Sequence, residues 1–407
     1  MAKIRLLVFL ITLTVVGILA TLASLYARGY RFDTKSLKFT PNGLLVVESH
    51  PSGAQVFING ELKNATDTTI SLSPGTYDVE FKKEGYFTWS KRLTIEKEIV
   101  TEASAHLFKS VPSLTPVSFT GSISPINSGD SGKIAYYVPL VNGAGGLWVI
   151  DTVNLPLGFA REPRQLTDGD LTGATWIFSP DGREIMLSTE SGIFVLDAGT
   201  FTPQNQRVNV ASREEEINDE WAKKAALKLT AQLKGLEPEI SDILSRKAEF
   251  LTFSLDETKV LYRAISDATI PVGIVRELPG ASTQKQERDI KKGRIYVYDI
   301  KEDRNFLIED NSESILIGNS RLPISPEDNE IDPQERITWF PTSRHLIKAE
   351  ENKVVIMDYD GTNRQVVYSG AYNTPFAFPI LSNDRILILT NLGASDTLSN
   401  LYAVTIK

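Results

Sequence analysis

Short runs of alternating apolar and polar residues, separated by tight-turn sequences, recur along most of the chain. The clearest example is residues 176–197, WIFSPDGREIMLSTESGIFVLD. The pattern predicts a three-stranded antiparallel meander, because its apolar residues keep the two-residue period that places side chains on one face of a sheet. The residues of that face are Ile185, Leu187, Phe194 and Leu196. Ser-Pro-Asp-Gly after the first strand supplies the fixed and the permissive backbone angles of a tight turn.

The same meander recurs, so that five copies lie between residues 123 and 406. The copies begin with apolar strands at 123–125, 176–178, 251–253, 337–339 and 376–378. In the first four copies the third strand ends in an aspartate: Asp151, Asp197, Asp299 and Asp358. Repeats of about 40 residues with four strands each are the signature of a β-propeller. We count five blades, and six if one copy is too degenerate to recognise.

The first strand of the propeller is predicted to close the ring. The fifth copy has no outer strand after residues 401–406, whereas residues 114–119 precede the first copy. The sequence PVSFTGSIS there resembles QLTDGDLTGAT, which leads from the first copy into the second. Pairing the first strand with the last would leave no open edge on the final blade. The propeller is therefore assigned to residues 109–407, with strand 113–119 closing it.

The Ser-Pro-Asp-Gly meanders resemble the blades of TolB-like and WD-repeat-like β-propellers. The resemblance extends over all five copies, although each single copy is degenerate. It implies that ligands bind over the top face and the central channel, where loops of several blades converge. Because function resides in such sites and not in the fold, the resemblance nominates no single residue.

Two insertions interrupt the repeats, a helical one at 212–248 and a polar loop at 265–292. Ser212 and Glu215 match the capping-box pattern at the start of the first helix. A proline at 238 is expected near the start of a second, shorter helix, since proline is favoured in the first helical turn. The insertion is therefore predicted to be a helical hairpin.

The first helix of this hairpin carries apolar residues four positions apart, which form one stripe. They are Ile217, Trp221, Ala225, Leu229 and Leu233. The stripe is predicted to pack against the propeller rim, because amphipathic helices usually bury their apolar face. The alternative is a partner-docking arm with Trp221 as its anchor. In that alternative, Trp221, Leu229 and Leu233 are the candidate partner-binding residues.

Residues 43–108 are predicted to form a separate, small β domain. Short alternating strands are divided by turn sequences, and Asn59-Gly60 between two of them predicts a hairpin. The stretches PSGAQVFING at 51–60, LSPGTY at 72–77 and KEGY at 83–86 resemble the PEGA domain, a small β-sandwich of surface and envelope proteins. The resemblance implies association with the cell envelope and carries no chemistry.

The N-terminal part contains one long apolar stretch, residues 6–27, without a charged residue. As a helix it would span about 33 Å, which suffices for a bilayer core of about 30 Å. The apolar core of a cleavable signal peptide would be only about 7–15 residues long. We therefore predict an uncleaved transmembrane anchor at 1–28 and a tether at 29–42.

The anchor is predicted to leave the N-terminus in the cytoplasm and the body outside. Two basic residues precede the apolar stretch and four follow it by residue 38, so a literal charge count favours the opposite orientation. Long folded regions are translocated largely regardless of charge, however, and the resemblances imply an envelope protein. The predicted localisation is the cell membrane, with a single span and an extracytoplasmic body.

Composition and charge narrow the partners. The 407 residues include no cysteine, which excludes disulfides and thiolate metal sites. The formal net charge of −8 argues against a nucleic-acid surface, whose electrostatic footprint would be a basic patch. The predicted partners are the membrane, through the N-terminal helix, and an envelope protein or glycan. Nucleic acid is not expected.

Candidate catalytic residues are few. His50, His106 and His345 fall in strand positions of two domains, and none has metal-ligand spacing to another. The sequence contains neither a G-x-S-x-G elbow nor an H-E-x-x-H motif. The glycines at 143–146 lie between strands and not before a helix, which argues against a phosphate cradle.

Two acidic clusters are candidate calcium-binding loops, because calcium is bound by oxygen ligands. The densest acidic run is Glu327, Asp328, Glu330, Asp332 and Glu335, and a smaller cluster is Asp358 with Asp360. Neither has EF-hand spacing. Since surface carboxylates are common, we interpret both as solvated loops and predict no cofactor.

The expected function is that of a membrane-anchored cell-envelope protein that displays its propeller for protein or glycan binding and performs no catalysis. The alternative is an envelope enzyme or enzyme accessory, with a carboxylate-lined site in the propeller channel. No nucleophile–base pair in the sequence supports that alternative.

Overall fold

The structure is a computed structural model that describes residues 2–27, 30–33, 38–140, 145–153, 162–275, 284–311, 314–318, 335–394 and 397–407. The chain divides into two compact units. The first comprises Met1–Leu107 with Glu277–Gln284, and the second comprises Phe108–Arg276 with Lys285–Lys407.

The first unit begins with one helix, α1 (Ala2–Ala27). Within it, Leu7–Tyr26 has a mean hydropathy of 2.4, and none of this stretch is buried inside the protein. The hydroxyls of Thr12, Thr14 and Thr21 each donate to the carbonyl four residues earlier, at 2.9 Å, so the helix satisfies its own polar side chains. By length and composition α1 is able to cross a membrane, and a signal sequence has the same properties.

A two-stranded ribbon follows α1, within the stretch predicted to be a tether. Its strands are β1 (Tyr30–Asp33) and β2 (Lys38–Pro41), paired antiparallel. The Tyr30 hydroxyl donates to Glu98 Oε1 at 2.7 Å. Alternation of apolar and polar residues, by which strands are recognised in a sequence, does not identify this ribbon. Two strands can pair through their backbones without such alternation.

Residues 43–106 form a small β-sandwich of two sheets. The strands are β3 (Gly43–His50), β4 (Gln55–Ile58), β5 (Glu61–Ala65), β6 (Thr68–Leu72), β7 (Gly75–Lys82), β8 (Trp89–Ile95) and β9 (Val100–His106). One sheet has the order β6-β3-β9 and the other β5-β4-β7-β8. Their inner faces share one apolar core, which includes Val47, Val56, Phe81, Trp89 and Ala103.

Two local features define this sandwich. Asn59 and Gly60 have φ angles of 49° and 80°, the left-handed backbone that the predicted hairpin between β4 and β5 requires. Strands β3 and β9 run parallel, in a register that places Leu44 opposite Val100 and His50 opposite His106. The parallel pair brings together residues that are far apart in the sequence.

The second unit is a β-propeller of five sheets, which confirms the predicted fold class. Blade 1 contains β11 (Ile123–Asn127), β12 (Lys133–Val138), β13 (Gly146–Asp151) and β14 (Arg164–Asp168). Blade 2 contains β15 (Thr175–Phe178), β16 (Glu184–Thr189) and β17 (Gly192–Asp197). Blade 3 contains β18 (Ala248–Phe253), β19 (Lys259–Ala264), β22 (Ile295–Asp299) and β23 (Arg304–Glu309).

Blades 4 and 5 complete the propeller and depart from the simple repeat. Blade 4 contains β24 (Ile315–Ile317), β25 (Glu335–Trp339), β26 (His345–Glu350), β27 (Lys353–Asp358) and β28 (Gln365–Ser369). Its extra strand β24 pairs parallel with β25. Blade 5 contains β29 (Ala377–Pro379), β30 (Arg385–Thr390), β31 (Asn400–Thr405) and β10 (Ser113–Pro116).

The ring closes between β10 and β31, the first and the last of these strands in the sequence. Ser113 lies opposite Thr405 and Pro116 opposite Tyr402. Apolar residues of blades 1 and 5 then share one core, which includes Tyr136, Ile150, Phe378, Leu387 and Leu401. Since β10 covers the outer edge of β31, blade 5 presents no open strand there.

A repeated turn fixes the first two strands of three blades. The hydroxyls of Ser128, Ser179 and Ser254 each donate to the aspartate two residues later, at 2.5, 2.7 and 2.8 Å. The same oxygens accept the backbone N–H five residues later, at 2.9, 2.9 and 3.0 Å. This double use of one hydroxyl explains why the Ser-x-Asp sequence recurs with the meander.

The inserted helical hairpin consists of α2 (Glu214–Lys234) and α3 (Pro238–Lys247). The expected capping box is wrong: residue Arg213 occupies the N-cap position, and no side chain caps the helix. A 3₁₀ turn at Ala211–Arg213 leads directly into α2, so Ser212 lies within that turn and not at the cap. Three glutamates in the first turn instead complement the helix dipole.

Helix α3 packs on one face of blade 3. Leu236, Ile240 and Leu244 share a core with residues of β19 and β22. The loop at 265–292 also contributes through a short ribbon, β20 (Ala268–Thr269) with β21 (Asp289–Ile290). Ile290 is fully buried in the same core. The insertions therefore cover a blade face that would otherwise be exposed.

Candidate functional site

A bulge in the first strand of blade 3 presents an aromatic side chain. The register of β18 against β19 shifts between Glu249 and Thr252. Phe250, within the bulge, has a φ of 52°, and its side chain is 44% exposed. A bulky residue in left-handed backbone is strained, and such strain is concentrated at functional sites. The first strands of the blades surround the channel of a propeller, so Phe250 is a candidate contact residue there.

Arg263 on β19 holds this aromatic ring in place. Its guanidinium lies 5.0 Å from the centre of the Phe250 ring, a cation–π distance. One nitrogen, Nη1, lies 3.4 Å from Glu249 Oε1, and Nη2 donates to the carbonyl of Ile315 in β24. Blades 3 and 4 together thus fix an arginine whose flat face is covered by an exposed phenylalanine. We name Phe250, Arg263 and Glu249 the Phe250 site.

An ionic cluster lies between the same two blades. Lys348 Nζ lies 2.9 Å from Glu335, 3.3 Å from Glu309 and 3.4 Å from Glu350. The lysine side chain is only 9% exposed. Three carboxylates from blades 3 and 4 therefore surround one buried ammonium group, and we name these four residues the Lys348 cluster.

The pKa shifts in the Lys348 cluster oppose a catalytic role. Burial alone would lower the pKa of Lys348, but the hydrogen bond to Glu335 and the charges of the carboxylates outweigh it and raise that pKa. Burial alone would raise the pKa of Glu350, but Lys353 and Lys348 outweigh it and lower that pKa. A nucleophilic lysine needs a lowered pKa and a general acid a raised one. The charges of this cluster therefore favour a structural role.

A hydroxyl, an imidazole and a carboxylate meet in blade 4, which the sequence analysis does not anticipate. Thr342 Oγ1 lies 2.7 Å from His345 Nδ1, and His345 Nε2 lies 3.4 Å from Asp358 Oδ1. This order of groups resembles a catalytic triad. The imidazole is only 3% exposed, and the ring of Phe108 lies edge-on to it at 5.0 Å. Such burial leaves no room for a substrate at the base, so we interpret the group as a structural link.

In the paired strands β26 and β27, His345 lies directly opposite Asp358. The sequence shows only that a histidine begins one predicted strand and an aspartate ends the next. The same two positions of blade 3 hold Lys259 and Asp299, whose charged atoms lie 3.5 Å apart. In blades 3 and 4 the terminal aspartate of the repeat thus lies beside a basic residue at the start of the preceding strand, whereas in blade 2 Asp197 lies opposite Glu184.

The stripe residues of α2 face the protein to different degrees. Trp221 is 6% exposed, and Leu233 packs on the core that α3 shares with blade 3. Leu229 is half-buried. A Trp221 anchor would have to leave this position before it could contact a partner. The assignment of Trp221, Leu229 and Leu233 as partner-binding residues stays a prediction.

The acidic loops interpreted as solvated lie partly outside the described residues, which include Glu335 but not the rest of the run at 327–335. Asp360 accepts hydrogen bonds from the hydroxyl and N–H of Thr362, at 2.5 and 3.2 Å. Among the described residues, no group of three His, Asp or Glu side chains has the arrangement of a metal site. Calcium binding at these loops stays untested. The glycine loop predicted not to bind phosphate is described only at Gly145 and Gly146.

The histidines of the sandwich are neighbours, in contrast to the sequence expectation. His50 and His106 lie opposite each other on β3 and β9, with ring centres 5.6 Å apart. The parallel pairing of distant strands produces this contact, so spacing along the chain gave no sign of it.

Comparison with known proteins identifies one domain. Residues 42–110 match the PEGA domain family, which confirms the predicted resemblance of the small sandwich. No curated protein matches the sequence.

Several solved structures are similar to the chain. The putative TolB of Agrobacterium tumefaciens is 12% identical over 70% of this chain and 78% of its own, with a TM-score of 0.22. The RRP9 WD40 repeats are 9% identical over 74% of this chain and 100% of their own, with a TM-score of 0.29. An acylaminoacyl peptidase of Pyrococcus horikoshii is 10% identical over 70% of this chain and 38% of its own, with a TM-score of 0.21. TM-scores of this size do not define a fold, so the propeller assignment rests on strand pairing and shared cores.

Proposed function

We propose that this protein is anchored in the cell membrane by α1 and displays its propeller outside the cytoplasm for binding an envelope protein or glycan, without catalysis. The observation that carries the proposal is the Phe250 site. An exposed aromatic side chain is held there in strained backbone on the first strand of a blade. Aromatic and arginine side chains are the residues that most often dominate binding energy at interfaces.

Pre-organisation strengthens this interpretation. Arg263 is fixed by Glu249 and by the Ile315 carbonyl, so little side-chain freedom remains to be lost on binding. A phenylalanine face can stack on a sugar ring or fill a pocket of a protein partner.

The PEGA domain and the apolar helix support the envelope location. Their order, with the span before both folded units, suits a body held close to a membrane surface. The proposed orientation is N-terminus in the cytoplasm and body outside, as the sequence analysis predicts.

The binding proposal is tested by photo-crosslinking in cells. A photoreactive amino acid replaces Phe250 in one full-length variant and Phe201 in a control variant, since Phe201 is similarly exposed at 48% but lies after the last strand of blade 2. We expect a discrete crosslinked envelope protein, or crosslinking to sedimented envelope glycan, only at position 250. Equal crosslinking at both positions, or none at either, would contradict the proposal.

The orientation is tested by labelling a single introduced cysteine, since the natural sequence contains none. A single cysteine at the exposed position Ser52 creates one reactive thiol in the whole chain. A membrane-impermeant thiol reagent should label it in intact cells. Labelling only after lysis would place the body in the cytoplasm, and a mature chain that begins near Arg28 would identify α1 as a signal sequence.

A further inference from the structure

The PEGA-like sandwich carries two histidines side by side on its outer surface. In β3 and β9 the residues Leu45, Val47, Ala103 and Ala105 are buried in the core. Side chains alternate between the two faces of a sheet, so His50 and His106 lie on the face opposite to these residues. His50 is exposed and His106 is half-buried, with its Nδ1 atom buried, so His50 forms the solvent-facing side of the pair.

The separation of the two rings suits a shared metal ion. An imidazole nitrogen binds such ions at about 2.0–2.1 Å, so an ion on its lone pair lies about 3.2 Å from the ring centre. Two rings that share one ion at a tetrahedral angle then have centres about 5.2 Å apart. The observed separation is 5.6 Å, with the ring planes 43° apart. A small side-chain rotation is sufficient to close this difference.

We propose that His50 and His106 form a binding site for a late first-row divalent cation, Cu²⁺, Ni²⁺ or Zn²⁺. Imidazole is a preferred ligand of all three ions, whereas calcium and magnesium prefer oxygen. Among the described residues no third His, Asp or Glu completes a ligand group, so water fills the remaining positions. The site is therefore exchangeable, and the affinity order follows the Irving–Williams series, with Cu²⁺ bound most tightly.

The surroundings favour a cation. Glu48 lies two residues before His50 on β3, and Glu102 lies four residues before His106 on β9, so both share the outer face with the histidines. Both glutamates are exposed, and their charge attracts a dication to this surface. The strand pair also fixes the two backbones in register, which lowers the entropy cost of bringing two ligands together.

The sequence offers few other strong ligands for these ions. The chain has three histidines and no cysteine, and the third histidine, His345, is 3% exposed. The full-length protein, purified in detergent with a tag that contains no histidine, is titrated with CuCl₂, NiCl₂ and ZnCl₂ against a chromogenic indicator. We expect one ion per chain and a Cu²⁺ electron paramagnetic resonance spectrum with hyperfine coupling to two imidazole nitrogens.

The variants His50→Asn and His106→Asn should each weaken binding at least about 100-fold, because losing even an outer-sphere partner costs about 10–100-fold. His345→Gln is the matched control and should bind as the parent does. Circular dichroism confirms that each variant is folded. Parent-like binding by His50→Asn or His106→Asn would overturn the proposal. So would the absence of binding, or of the nitrogen coupling, in the parent protein.

Discussion

The two faces of blade 3 have different neighbours. One face packs against blade 4, and the buried core between the two blades is aliphatic apart from Phe306 of blade 3 and Trp339 of blade 4. The other face packs against helix α3, and its core contains three tyrosines, Tyr262, Tyr296 and Tyr298. The same sheet thus meets a second sheet on one side and a helix on the other.

The comparison teaches how a sheet accommodates a helix. The rings of Tyr262 and Tyr296 stack with centres 5.7 Å apart and supply a broad apolar surface. Their hydroxyl ends remain satisfied: Tyr262 donates to Asn305 at 2.9 Å and Tyr298 to Asp303 at 2.8 Å. Burial raises the pKa of Tyr262 and of Tyr298, which keeps both phenols neutral. On the face toward blade 4, the polar end of Trp339 is satisfied in the same way, because its Nε1 donates to the Thr252 carbonyl at 2.8 Å.

The largest expected effect is on the sheet-facing side. Phe306→Ala removes a fully buried ring and should lower the free energy of unfolding by about 3–5 kcal/mol. Urea unfolding of the full-length protein, followed by tryptophan fluorescence, measures this loss. The exposed Phe201→Ala is the control and should stay within about 0.5 kcal/mol of the parent. If Phe306→Ala also stays within about 0.5 kcal/mol of the parent, blades 3 and 4 are not packed as described.

A substitution on the helix-facing side of blade 3 should lower the free energy of unfolding somewhat less. Leu244→Ala on α3 empties a position that is 1% exposed, and we expect a loss of about 2–4 kcal/mol. Leu227→Ala, at a position 63% exposed on α2, is the matched control with little expected change. If Leu244→Ala proves as neutral as Leu227→Ala, the hairpin is a separable arm and not part of the blade 3 core.

The polar ends of the tyrosines should contribute a smaller amount. Tyr262→Phe keeps the ring but removes the donor to Asn305 Oδ1, and a buried acceptor left without its donor costs about 1–3 kcal/mol. A double-mutant cycle with Asn305→Leu isolates the interaction. Strict additivity of the two changes would show that this hydrogen bond does not stabilise the helix-facing side.

The smallest expected change in stability concerns the turn at Asp256 and Glu257, which contacts both blade 4 and helix α2. The N–H of Asp256 donates to Ser343 Oγ of blade 4 at 3.0 Å, while Glu257 accepts from Gln232 of α2 at 2.7 Å. Burial alone would raise the pKa of Asp256, but hydrogen bonds from Ser254 and Thr258 outweigh it and lower that pKa. The unfolded-state pKa of Asp is about 3.9.

A lowered folded-state pKa makes the carboxylate of Asp256 stabilising above the unfolded-state value, and this stability is lost as pH falls through the folded-state value. Between about pH 5 and pH 3 the parent should therefore lose more stability than Asp256→Asn, by less than about 1 kcal/mol after solvent screening. Parallel urea titrations at both pH values measure the difference. Identical acid sensitivity of the two proteins would assign the loss to other carboxylates.

The propeller was predictable because its evidence is periodic and local. Each Ser-Pro-Asp-Gly or related turn, such as that of Asp181, marks one meander, and amphipathic alternation identifies the strands around it. The helical hairpin was predictable for the same reason, although its capping box was not formed. Helix start signals are ambiguous where a 3₁₀ turn such as Ala211–Arg213 precedes the helix.

The candidate sites were not predictable, since they depend on contacts between distant segments. The strained backbone of Phe250 leaves no trace in composition, because a bulge depends on the register of the neighbouring strand. Lys348 meets Glu309 across two blades, and His50 meets His106 only because β3 and β9 run parallel. Single-sequence patterns carry no information about such pairings.

The closure of the ring by β10 and β31 has a consequence for biosynthesis. Ser118 Oγ accepts the N–H of Leu401, 283 residues later in the chain. At a synthesis rate of about 5–20 residues per second, the first strand of the propeller waits roughly 15–60 s for its partner to be made. Throughout that time it presents an unpaired edge, a state in which folding factors bind and in which neighbouring nascent chains aggregate. A chain that ends before β31 therefore leaves β10 without its partner and β30 with an open edge.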